Sequence, residues 1–168
     1  MRGTALLCLL TISLVGSAIA GPQPVTADQL LGQYYIIHRS LASDSISGVS
    51  TSIAEIARIS RQAVPAEPNA KPQLTAVSDA AAKFRAADLK SARNGFGELS
   101  DAFIAYLKAS GAKTNPPYQF FCSMAKKNWL QPDKSTRNPY YGSSMPTCGE
   151  LVQSEKAGQP VGHMTEHH

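Results

Sequence analysis

From Asp28 to about Ala42 the apolar residues Leu30, Tyr34, Ile37 and Leu41 recur at spacings of four, three and four, which places them on one stripe of a helix. The pattern predicts a first helix there. A second seam, Ile46, Val49, Ile53 and Ile56, runs to Val64-Pro65, with Asp44 as its expected cap, and the short gap between the two predicts an antiparallel hairpin. Three prolines between Pro65 and Pro72 then mark a surface crossover, because proline cannot donate to a helix or a ladder. Leu74, Val77, Ala81 and Phe84 form a third stripe, and Leu89, Ala92, Phe96, Leu99, Phe103 and Tyr106 a fourth. The last two stripes differ in phase by one residue, since continuing the third would place Asp88 in the core instead of Leu89. A break near Ala87 with Asp88 as N-cap resolves that conflict. Gly95 and Gly97 each weaken the fourth helix by about 1 kcal/mol relative to Ala. Four such seams predict an all-α fold, an antiparallel four-helix bundle.

Beyond Gly111 the periodicity stops. Pro116-Pro117, Pro132, Asn138-Pro139 and Pro146 punctuate residues 112–150, yet Tyr118, Phe120, Phe121, Trp129, Leu130, Tyr140 and Tyr141 are too apolar for a linker. The expectation is an ordered, irregular, aromatic-rich loop segment folded back on the bundle. The tail 153–168 has no such anchors and is expected to be disordered.

The first residues change the setting of this domain. Arg2, an apolar run from Ala5 to Val15 and the small residues Ala18-Ile19-Ala20 read as the three regions of a secretory signal peptide over 1–20, cleaved after Ala20. The run is short for a membrane helix, and Cys8 lacks the preceding small residue of a lipidation site, so no membrane anchor is expected after cleavage. What remains is one domain, 21–152, expected in the periplasm. Removing Arg2 takes the formal charge from +4 to +3, and the basic residues are scattered, which argues against nucleic acid as a partner.

Candidate chemistry lies in the irregular segment, which holds all the sulfur of the processed chain except Met164. Cys122-Ser123-Met124 and Met145-Pro146-Thr147-Cys148 each present a thiol and a thioether at short spacing, so each pair could offer two soft donors to one ion. Such a set selects Cu(I) or Ag(I) over harder ions. In an oxidising compartment the same two cysteines also suit a stapling disulfide, worth roughly 3 kcal/mol for a loop of this length, with Met124 and Met145 as packing residues. Both readings stay open on the residues alone. His163, His167 and His168 form a weaker metal-binding set in the tail, and His38, beside the first stripe, is expected to be half-buried and hydrogen-bonded. No phosphate loop, zinc-protease spacing, Cys-x-x-Cys pair or nucleophile elbow is present, so no enzymatic activity is expected.

The order Phe121-Cys122-Ser123-Met124-Ala125, Asn128-Trp129-Leu130-Gln131, Asn138-Pro139-Tyr140-Tyr141-Gly142, then Met145 and Cys148-Gly149-Glu150, resembles a bacterial periplasmic domain family of unknown function. That domain occurs alone or fused to the periplasmic adaptor of copper and silver efflux pumps. Tyr35, Leu41, Asp44, Arg93, Phe96, Leu99 and Ser100 resemble its helical part, so the likeness spans about Asp28 to Glu150. Ser123 stands where the family usually has Pro. The resemblance implies a role in heavy-metal handling, with an efflux adaptor or pump as partner. Two functional expectations follow: a periplasmic accessory protein holding Cu(I) or Ag(I) for efflux, buffering or delivery, or a disulfide-stapled helical interaction module without metal.

Overall fold

The computed structural model describes residues 27–111 and 117–153. The expected signal peptide and all of the expected tail beyond Gln153, with His163, His167 and His168, lie outside the described residues. Among those residues no helix is long and apolar enough to cross a membrane.

Four helices form where the stripes predict them: α1 Ala27–Ala42, α2 Val49–Ala63, α3 Lys71–Lys83 and α4 Leu89–Ser110. Each packs on the next, and α4 returns to α1, which encloses the four apolar stripes in one core. The proline crossover contains a single 3-10 turn, Pro68–Ala70, and Pro72 sits in the first turn of α3, where its missing N–H costs nothing. The phase break is real. Asp88 caps α4 by accepting the Ser91 N–H at 2.7 Å, and the Ser91 hydroxyl accepts the Asp88 N–H in return, a capping box. Gly95 and Gly97 each lie close to a neighbouring side chain. A Cβ at Gly95 would meet the Phe84 ring at 3.0 Å, and one at Gly97 the Lys127 side chain at 2.6 Å.

The entry to α2 departs from expectation. Gly48, in the left-handed region, precedes the helix, and Asp44 does not cap it. Ile46 is outside the helix and exposed. The reason is a competing partner for the carboxylate: Asp44 pairs with Arg93 of α4 and accepts from the backbone and hydroxyl of Ser143, 99 residues away.

The all-α expectation is overturned. Where an irregular loop was expected, the chain forms a three-stranded antiparallel sheet, β1 Tyr118–Cys122, β2 Lys127–Gln131 and β3 Glu150–Gln153, in the order β2-β1-β3. The fold is therefore mixed, a helical bundle carrying a small sheet. Only β1 shows the alternation expected of a strand, with Phe120 and Cys122 buried and Phe121 half-buried between them. In β2 the consecutive residues Trp129, Leu130 and Gln131 are all buried, because its two faces meet α4 and α1 on one side and the folded-back segment on the other. That double burial erases the period-two signal.

The sheet is fastened to the bundle at Tyr34. Its ring is fully buried between Phe96 and Phe103, with centroids 4.9 Å from each. Its hydroxyl lies 2.7 Å from the Ser100 Oγ of α4 and accepts the Leu130 N–H of β2 at 3.1 Å. One helical side chain thus satisfies a strand donor inside the core. On the sheet itself Phe120 and Trp129 are register partners and stack at 5.2 Å. The indole packs against Tyr140 at 6.1 Å, edge to face, and donates to Gln131 Oε1 at 2.9 Å.

Candidate functional site

Cys122 is the last residue of β1, and Cys148 stands two residues before β3, whose first residue pairs with Phe121. The antiparallel pairing of β1 with β3 therefore carries the two cysteines together. Their Sγ atoms lie 3.9 Å apart as free thiols. Cys122 is fully buried and Cys148 is half-buried.

Asn138 holds this arrangement. It is fully buried, and its side-chain amide donates to the Cys148 carbonyl at 2.6 Å and to Cys122 Sγ at 3.5 Å. Its Oδ1 accepts the N–H groups of Tyr140 and Tyr141, and its own N–H donates to the Pro146 carbonyl at 2.9 Å. The loop 138–148 is closed by this residue at both ends. A second donor reaches Cys122 Sγ from the β1–β2 turn, the Ala125 N–H at 3.4 Å. Lys126 takes a positive φ in that turn, which lets four residues reverse the chain.

Two contacts lock the loop onto the helices. The Arg93 guanidinium donates to the carbonyls of Leu41 and Pro139 and to Asp44, so α1, α4 and the loop meet on one side chain. Gly142 must be glycine there. Its φ is +55°, and a Cβ would fall 2.0 Å from Asp44 Oδ1. At the other end His38, fully buried, has its Nε2 2.9 Å from the Arg137 carbonyl, one residue before Asn138. The half-buried expectation for His38 is exceeded. Burial is the main reason its pKa falls to about 4, with the charges of Arg137 and Arg39 adding to it against the opposing carbonyl bond and Asp133, so the imidazole is neutral at physiological pH.

The thioethers are placed differently from the thiols. Met124 sits at the tip of the β1–β2 hairpin, 59% exposed, in the wall of a groove of about 700 Å³ that Leu89, Tyr140 and Tyr141 also line. Met145 is half-buried, in the turn that its carbonyl closes by accepting the Cys148 N–H at 3.2 Å. Each methionine thus lies in a turn anchored to one of the cysteines. The structure brings the two thiols together and leaves the thioethers on the flanking turns. Among the described residues no group of three or more His, Cys, Asp or Glu is placed to hold a metal.

A separation of 3.9 Å suits a shared ion. Two metal–sulfur bonds of about 2.3 Å span roughly 3.8 Å at a tetrahedral angle and roughly 4.6 Å in line. It also lies within a side-chain rotation of the ~2.05 Å of a disulfide. Burial, followed by the Cys122 sulfur and the Glu150 carboxylate, raises the Cys148 thiol above its ordinary value. Asn138 is the residue of this arrangement that spacing alone does not single out. An Asn-Pro pair reads as a turn, and nothing local signals that its amide will reach a sulfur 16 residues back and a backbone carbonyl 10 residues on. No family model, curated protein or solved structure matches this chain.

Proposed function

We propose that this protein is a periplasmic accessory protein that binds one soft monovalent ion, Cu(I) or Ag(I), between Cys122 and Cys148 and passes it on by ligand exchange. The observation that carries the reading is the 3.9 Å separation of two thiols whose residues are held by a common amide, that of Asn138, through the Cys122 sulfur and the Cys148 carbonyl. Met124 and Met145 are the thioethers nearest in the chain to complete the coordination. As thioethers they bind more weakly than thiolates and release first, which suits transfer. The likeness of the Cys-to-Cys segment to the periplasmic domain of copper and silver efflux systems supports the same reading, with an adaptor or pump as receiver.

The test is competition for Cu(I) between the reduced protein and a chromophoric chelator. One equivalent should be taken up, Cys122→Ser and Cys148→Ser should each abolish it, and Met124→Leu or Met145→Leu should weaken it while nearly conserving volume. Uptake that survives loss of both cysteines and vanishes when the chain ends at Gly162 would assign the ion to His163, His167 and His168 instead. The disulfide-stapled interaction module remains the second reading, favoured by the exposed apolar groups Met124, Leu151 and Val152. Among the segment's large aromatics, Phe120 and Trp129 do not serve it, because they are buried in the core.

A further inference from the structure

The two sulfurs are close but not equivalent. Cys122 Sγ is closed off from solvent and receives two N–H groups, from Ala125 at 3.4 Å and Asn138 at 3.5 Å. Cys148 is half-buried, in the turn leading to the outer strand β3, whose Leu151 and Val152 are exposed. A nucleophile arriving from solvent therefore has access to one sulfur of the pair. When a bond between the two is broken there, the sulfur left behind is the one already provided with hydrogen-bond donors, and such donors favour the charged form of a leaving thiol.

We propose that the pair is a reversible redox gate on the metal site, closed as a Cys122–Cys148 disulfide and opened by external thiols that attack Cys148 alone. The inference rests on the reading of the two cysteines as the ion's ligands. In opening, an external thiolate forms a bond to Cys148 Sγ as the Cys122–Cys148 bond breaks, and the electron pair leaves on Cys122 into the N–H groups of Asn138 and Ala125. A second external thiolate then attacks the outer sulfur of the mixed disulfide and releases Cys148 as thiolate, so two thiols become one small disulfide and the pair gains two electrons. In closing, Cys148 attacks a small disulfide and displaces one thiolate, and Cys122, 3.9 Å away, attacks Cys148 and displaces the second. Closure removes both thiolate ligands, so a bound ion is freed to the thiols just formed.

Oxidised protein is treated with glutathione, quenched in acid, denatured, alkylated and mapped by mass spectrometry. Glutathione is expected on Cys148 with the alkyl group on Cys122. In the single variants the folded Cys122→Ser protein should react with an aromatic disulfide about tenfold or more faster than the folded Cys148→Ser protein, and the difference should vanish in denaturant. Glutathione found on Cys122, equal rates in the folded variants, or a disulfide that glutathione opens only in denaturant would overturn the gate. Copper uptake by chemically reduced protein is measured in parallel. Its absence would overturn the metal reading without touching the exchange result, and intact uptake beside a glutathione-resistant disulfide would overturn the gate alone.

Discussion

The side-chain amide of Asn138 donates to the Cys148 carbonyl at 2.6 Å, and the same nitrogen reaches Cys122 Sγ, so one buried group fixes both ends of a 26-residue excursion. Replacing Asn138 by Leu keeps the volume and removes every one of these bonds. It leaves the N–H groups of Tyr140 and Tyr141 without their acceptor inside the core. A loss of roughly 2–3 kcal/mol is expected in urea unfolding, together with weaker Cu(I) retention by the reduced protein. Unchanged affinity in a folded Asn138→Leu protein would mean that the amide serves the loop and not the sulfurs.

A neighbouring glycine gives a contrast between two kinds of close approach. A Cβ at Gly149 would lie 2.1 Å from Cη2 of Trp129, a buried ring stacked on Phe120, whereas a Cβ at Gly97 would meet the movable end of Lys127. Gly149→Ala must therefore displace the indole, and a cost of roughly 1–3 kcal/mol with an altered near-ultraviolet dichroism of Trp129 is expected. Gly97→Ala should be near neutral, since Lys127 can swing aside and Ala favours the helix. Equal effects at the two positions would contradict this packing.

Much of this was readable from the chain and some was not. The stripes through Leu30, Val49, Leu74 and Phe96 predict the four helices because each buries one face, and helical periodicity survives whenever that holds. The misphasing at Asp88 is legible for the same reason. The sheet is not, because β2 is covered on both faces and β3 is four residues long with Leu151 and Val152 exposed, so neither alternates. Asp44 is misread because a carboxylate near a helix start has a local use, and sequence does not show that Arg93 and Ser143 will claim it. The number and spacing of Cys122 and Cys148 suit either a disulfide or a shared ion and do not choose between them. Their asymmetry is not legible there, since burial of one thiol depends on where the sheet docks.

His38 supplies a pH signature. Its pKa lies at about 4 in the folded state against 6.5 ordinarily, so between these values the unfolded chain binds the proton and the folded one does not. Stability is therefore full above pH 6.5 and falls as pH drops toward 4, by up to about 3 kcal/mol. In His38→Gln the slope of stability between pH 6.5 and 5 should flatten, whatever the baseline cost of losing the bond to Arg137. A slope unchanged by that substitution would show that other groups set the acid response.

The most direct measurement of the central claim is X-ray absorption at the copper edge of the reduced protein loaded with one equivalent of Cu(I). The account predicts a first shell of sulfur alone, and Cys148→Ser should lose the ion instead of exchanging sulfur for another donor. A first shell of nitrogen or oxygen, or an unchanged spectrum in Cys148→Ser, would contradict it.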